Sequence, residues 1–198
     1  MLSKETLRKE IKKHLKEVPP AEFRFQGDKA AALLRFSQIW ASYKTVFLFL
    51  SMNSEIDTQA LLEAALQDGK KVFAPRVEMN DNLVFYPILS SEGPWRKGPF
   101  DIKEPPDGKG IDTKDKKGNE YFPALILTPG LAFDMEGRRM GRGRGYYDRF
   151  FAELDREGKQ YYPLGLCMDF QLVEEVPVDE YDKKVRSLLT CNELYMTP

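Results

Sequence analysis

The chain has 198 residues, 42% hydrophobic and 31% charged, with 30 Lys and Arg against 31 Asp and Glu and a formal net charge of -1. That length and balance fit one globular domain spanning 1–198, able to bury a core without staples, and exclude a disordered chain. With so little net charge there is no global field to draw the chain to nucleic acid or an acidic membrane, so any anion site has to come from local clustering.

Ser3 is placed to cap a helix through about Glu17, in which Leu7, Ile11 and Leu15 form one apolar stripe. The start of the chain is charged and no apolar stretch follows it, unlike a signal peptide. Pro19 and Pro20 stop the helix. A second helix is expected over 28–39, turning Ala31, Leu34 and Ile39 inward. Residues 46–50 read as a buried strand, and the run TVFLFL around them is too short to span a bilayer. Asp57 then caps a helix that Gly69 ends. Strands follow over 71–77 and 83–88, the latter an edge or an ending because of Pro87. Residues 90–120 lack periodicity and read as a long surface excursion. A central strand over 124–128 leads into a loop or tight hairpin, 129–145. A helix over 146–157, a strand over 161–168 and a short strand near 188–190 complete the order. Strands alternating with helices imply an α/β fold with a mostly parallel sheet covered on both faces.

Two isolated cysteines, Cys167 and Cys191, and one histidine, His14, make no zinc set. The cysteines read as reduced, apolar-like residues of a cytoplasmic protein.

The chemistry concentrates in 128–150, TPGLAFDMEGRRMGRGRGYYDRF. This segment follows a strand and opens a helix, the place where open α/β sheets hold ligands. Gly141, Gly143 and Gly145 alternate, so the backbone there can take positive φ and approach a ligand closely. Successive exposed N–H groups and the start of the next helix suit an anion. Arg138, Arg139, Arg142 and Arg144 add forked donors for phosphate oxygens. Asp148 beside such a cradle calls for an intervening Mg2+. The segment is neither a Walker loop nor a dinucleotide fingerprint. Its rival readings are a solvated Arg/Gly hairpin and an RG-type RNA-binding segment, and near-zero net charge speaks against the latter.

The string PGLAFDMEGRRMGRGRGYYD resembles the signature PGLxFDxxGxRxGRGxGYYD of the 5-formyltetrahydrofolate cyclo-ligase (methenyltetrahydrofolate synthetase) family. Other family patterns follow in order: KxxLR at Lys4 to Arg8, SxxxE[IV][DE]T at Ser51 to Thr58, FxPR at Phe73 to Arg76, and QxxxxVPxxxxD at Gln171 to Asp182. The resemblance covers nearly the whole chain. It implies a three-layer α/β/α fold similar to the sugar-isomerase and CoA-transferase group. It also implies ATP- and Mg2+-dependent closure of 5-formyltetrahydrofolate to 5,10-methenyltetrahydrofolate, with ADP and phosphate released. Lys4, Arg8 and the run Arg139, Met140, Gly141, Arg142, Gly143, Arg144, Gly145, Tyr146 and Tyr147 are then expected to hold ATP. Leu50 and Glu55, with Arg142 to Tyr146, are expected to hold the folate; Arg142, Arg144 and Tyr147 are expected nearest the chemistry. Asp148 and Asp182 are the expected Mg2+ ligands. The partners expected are these two small molecules, with no nucleic acid, no membrane and a monomeric chain. Arg186 departs from the family pattern and is expected to put positive charge beside Asp182. A non-catalytic folate- or nucleotide-binding protein on the same scaffold is the alternative. Arg76, Trp95 and Phe133 are weaker candidates.

Overall fold

A computed structural model describes residues 3–198 apart from 80, 99–102 and 115. Helix α1 (Lys4–Glu17) begins where Ser3 Oγ accepts the Thr6 N–H, and it buries Leu7, Ile11 and Leu15. Helix α2 (Pro20–Arg35) starts at Pro20 rather than at 28. Proline suits the first helical position, where its missing N–H costs nothing, so the pair that ends α1 also launches α2. Helix α2 stops at Arg35, and Ser37 caps a separate short α3 (Gln38–Ser42), to which Ile39 belongs. Gly27 lies inside α2 because the chain crosses there: a Cβ would stand 2.1 Å from the Asp57 carbonyl oxygen.

Strand β1 (Thr45–Phe47) is buried throughout. Helix α4 (Gln59–Gln67) starts beside Asp57, whose Oδ1 accepts the Gln59 N–H at 2.8 Å, and Gly69 at φ 68° follows its end. Strands β2 (Lys71–Val77) and β3 (Leu83–Ile88) pair antiparallel, with Pro87 on the outermost strand, as expected. The excursion after β3 has structure that its lack of periodicity hid. It contains a small hairpin, β4 (Arg96–Lys97) with β5 (Lys103–Glu104), and a 3-10 turn (Lys116–Tyr121); its remainder at 99–102 and 115 lies outside the described residues. Then come β6 (Ala124–Thr128), the hairpin β7 (Ala132–Phe133) and β8 (Arg139–Met140), α5 (Tyr146–Arg156) and β9 (Tyr161–Leu166). Strands β10 (Ser187–Leu189) and β11 (Leu194–Met196) close the order. β11 escapes sequence reading because it is only three residues long and half-exposed.

The main sheet has seven strands in the order β11-β10-β9-β6-β1-β2-β3. The five inner strands run parallel and the two edges are antiparallel. Alternation along β1 and β6 separates two cores. Val46, Leu125 and Leu127 face α1 to α4, whereas Phe47 and Ile126 face α5 through Phe150, Phe151 and Leu154. The result is a three-layer α/β/α fold with a mostly parallel sheet. Because β1 leads outward to β2 and β6 leads the other way to β9, the order reverses between β1 and β6. The carboxyl ends of those two strands therefore flank a crevice, the usual ligand position in such sheets.

Candidate active site

The crevice is lined by Phe49, Glu55, Ile56, Pro129, Gly130 and Gln171. On its β1 side the chain is tied down by Thr58 Oγ1, which donates to the Phe49 carbonyl at 2.7 Å, and by the Asp57 N–H, which donates to Phe23 O at 3.1 Å. This holds Glu55 at the crevice, where its Oε2 accepts the Met52 N–H at 3.1 Å. Leu50 is half-buried against the same core. On the β6 side Gln171 Nε2 donates to the carbonyls of Gly130 and Leu131 at 2.9 and 3.0 Å, pinning the loop that leaves the strand.

The PGLAFD stretch is scaffolding for the arginine and glycine residues that follow. Asp134 is 1% exposed; its Oδ1 accepts the N–H groups of Glu136 and Arg138, both at 3.0 Å, and its Oδ2 accepts the Val176 N–H at 2.8 Å. It thereby shapes the β7–β8 turn and joins it to the strand-free segment before β10. Phe133 is fully buried, packed where Gly130 and Gly165 leave no room for a Cβ. It is packing, as its position beneath the loop suggests. Asp134 is the D of FDxxG in the signature, but the sequence reading gave it no role.

Beyond β8 the loop turns through Gly143 at φ 106° and Gly145 at φ 64°, and Gly145 serves as the residue before α5. Both positions favour glycine. Gly141 keeps an ordinary φ, so two of the three alternating glycines use their freedom. Asp148 falls in the first turn of α5, near the positive end of the helix dipole. Its Oδ1 accepts from Arg139 Nη2 at 2.7 Å and from the Lys183 N–H at 3.1 Å. Arg139 is buried, also donates to Pro129 O at 3.3 Å, and leaves its Nε without a partner.

These elements enclose a cleft of about 180 Å3 lined by Lys4 and Arg8 from α1, Arg139 and Met140, Gly141, Gly143 and Gly145, and the carboxylates Asp148, Asp179 and Asp182. Arg8 Nε donates to Gly141 O at 3.5 Å. Lys4 Nζ reaches Asp182 at 2.5 Å and Asp179 at 2.6 Å. Burial alone would lower the Lys4 ammonium, but its bonds to the two carboxylates and their charge hold it above its ordinary value. Residues nearly 180 positions apart thus meet at one end of α1, as the motifs implied. Asp179 is the member that sequence reasoning missed; its presence in VDEYD gave no sign of a partner. Larger hollows of about 540 and 560 Å3 lie elsewhere, one beside β3 and one at the opposite, amino-terminal ends of β9 and β10. Neither contains a residue of the glycine loop.

Four of the residues expected to hold ATP stand apart from this lining. Arg142 turns to the crevice, where its Nε donates to Glu55 Oε1 and its Nη2 to Ser54 Oγ, each at 3.1 Å. Arg144 points to solvent, and its carbonyl accepts from Arg149 at 2.7 Å. Tyr146 donates its hydroxyl to Asp81 at 3.1 Å. Tyr147 does not present a ring to a ligand. Its position in the first turn of α5 directs it into the aromatic core against Phe85 and Phe151, with the Arg139 guanidinium 5.9 Å from its ring centre. Its hydroxyl is buried without a hydrogen-bond partner, and burial, with the nearby Glu55 charge, pushes the phenol far above its ordinary range.

Arg186 corrects another expectation. It lies over the Tyr162 ring, 6.0 Å from its centre, and lines the hollow at the amino-terminal ends of the strands. The β-strand start at Ser187 carries it away from Asp182. Arg76 is held within a cluster by Glu78, Asp107 and the Tyr86 hydroxyl. Trp95 packs half-buried against the main core, and His14 is exposed on α1, edge-on to Phe170. Among the described residues no three His, Cys, Asp or Glu side chains are grouped to hold a metal, and no helix is long and apolar enough to cross a membrane.

Comparison with known proteins identifies the family. A 5-formyltetrahydrofolate cyclo-ligase of Escherichia coli (strain K12) is 30% identical over 187 residues, covering 93% of this chain and 98% of that protein. The mouse 5-formyltetrahydrofolate cyclo-ligase is 29% identical over 191 residues, covering 94% and 93%. The solved structure of Aquifex aeolicus 5,10-methenyltetrahydrofolate synthetase is similar with a TM-score of 0.80 at 28% identity, covering 98% of this chain and 93% of that one. The family model described as 5-formyltetrahydrofolate cyclo-ligase matches residues 1–191, and the chain belongs to that family.

Proposed function

We propose that this protein uses ATP to convert 5-formyltetrahydrofolate to 5,10-methenyltetrahydrofolate, releasing ADP and phosphate. The observation that carries this reading is the meeting of Lys4, Arg8, the glycine loop, Asp148 and Asp182 around one cleft, with Glu55 at the adjoining crevice. The cleft has the cations and close backbone that a polyphosphate needs. Glu55 supplies an acceptor for the N–H donors of a pterin.

A formamide oxygen is a poor leaving group. Attack by the formyl oxygen on the γ-phosphorus displaces ADP and turns that oxygen into a phosphate ester. N10 of the folate then attacks the formyl carbon, its proton leaves, and the carbon–oxygen bond breaks with departure of phosphate. The protein's tasks are alignment and charge neutralisation, and no side-chain nucleophile is required. Lys4 and Arg8 grip phosphates from α1. Arg142 and Arg144 carry mobile positive charge to the transferring group. Arg139 and Tyr147 act from beneath, fixing the loop that the ligands meet. Three carboxylates line this small cleft, and two of them suffice for Mg2+, which takes oxygen ligands and commonly binds through one or two carboxylates plus phosphates. Asp148 and Asp182 would hold it, and the ammonium now on Asp182 marks that carboxylate as a cation position. When bound, the ion offsets negative charge on the phosphate oxygens.

The test is to mix the protein with 5-formyltetrahydrofolate, ATP and Mg2+ and follow the near-ultraviolet band of the methenyl product. The band should grow only when all three are present. Folate binding without product would favour the non-catalytic alternative.

A further inference from the structure

We propose that Arg142 couples the two subsites: without nucleotide it covers Glu55, and the nucleotide's phosphates draw it off, opening the carboxylate to the pterin. This rests on the functional reading above and adds a regulation of the same site.

Three observations support it. First, Glu55 has its Oε2 committed to the Met52 N–H at 3.1 Å, so Oε1 is the oxygen left to face an incoming ligand, and Arg142 Nε holds it at 3.1 Å. The Arg142 Nη2 bond to Ser54 Oγ at 3.1 Å fixes the guanidinium across that edge. Second, Arg142 is less confined than its neighbour Arg139. Arg139 is 4% exposed at its side chain and locked to Asp148, whereas Arg142 is 35% exposed and flanked by Gly141 and Gly143. Third, Gly141 and Gly143 line the phosphate cleft itself, so the backbone that carries Arg142 is part of the nucleotide's cradle. A triphosphate placed there offers more negative charge than one carboxylate, and bidentate partners for the same fork.

The exchange makes the two ligands cooperative, because a ligand that removes a competing contact strengthens the other by the same factor it gains. A partly exposed ion pair sets the scale at about twofold to fivefold. Isothermal titration of the full chain with 5-formyltetrahydrofolate, with and without the β,γ-imido analogue of ATP and Mg2+, reads the factor directly. The folate should bind roughly fivefold more tightly with the analogue present. In Arg142→Gln the nucleotide-free affinity should rise and the factor should fall to near one. Ser54→Ala removes one tether of the guanidinium and none of the groups assigned to ligands. It should raise nucleotide-free affinity about twofold to threefold and leave affinity with the analogue unchanged. Equal folate affinity with and without the analogue in the unmodified protein, or an undiminished factor in Arg142→Gln, would overturn the coupling. No folate binding in either condition would refute the functional reading itself, and the coupling with it.

Discussion

Replacing Asp148 tests two roles that the structure gives one carboxylate. It faces the phosphate cleft, and it also neutralises Arg139, whose side chain is 4% exposed. Asp148→Ala should therefore lose stability as well as turnover. Removing one partner of a buried ion pair costs about 3–5 kcal/mol, because the remaining charge stays desolvated. The low end, about 3 kcal/mol, applies here, since the Asp148 side chain is 17% exposed and Arg139 keeps the Pro129 carbonyl at 3.3 Å. For a chain of this length that corresponds to a fall in Tm of roughly 6–12 °C. Urea denaturation should show a lower midpoint with an unchanged slope. The double variant Arg139→Met with Asp148→Ala should recover most of the stability and none of the turnover, separating the two roles. An Asp148→Ala protein with the midpoint of the unmodified chain would refute the buried-pair argument.

Three further outcomes follow from local geometry. Gly27→Ala should destabilise by about 1–3 kcal/mol, because the new methyl meets the Asp57 carbonyl at 2.1 Å and must push α2 from the segment that positions Glu55; a stability gain of the ordinary helix-propensity kind would contradict it. Asp68 accepts from Arg35 and from Trp40 Nε1, and those two bonds, Arg35's first, hold its carboxyl below the usual range. A depressed folded pKa gives stability that is present above the unfolded pKa and lost as pH falls through the folded one. Asp68→Ala should thus cost about 1 kcal/mol at neutral pH and progressively less in acid, and a penalty unchanged in strong acid would refute this. Cys167 is fully buried, and burial, helped by Asp169, pushes its thiol far above the ordinary range. It should resist a thiol-modifying disulfide reagent until the protein unfolds; rapid native-state labelling mapped to Cys167 would contradict its packing.

Most of the layer order was legible because its signals are local. Ser3, Gly69 and the apolar stripe of α1 mark their elements chemically, and Pro87 placed β3 at an edge. The start of α2 was missed because Pro20 both stops one helix and opens the next, and the crossing with Asp57 that explains a glycine at 27 is visible only in the folded chain. The site divides in the same way. The glycine loop announces itself in sequence, but three facts depend on folding alone. Asp179 joins Lys4, Tyr147 turns into the core, and Arg186 departs to the far end of the sheet. Each is set by the phase of a helix or the direction of a strand, which residue identity does not encode.

The central claim is that ATP activates the formyl oxygen in this cleft. Turnover of 5-formyltetrahydrofolate labelled with 18O in the formyl group, followed by mass analysis of the released phosphate, tests it most directly. The account predicts that the label appears in phosphate, one atom for each methenyl product formed. Unlabelled phosphate accompanying product formation would contradict it.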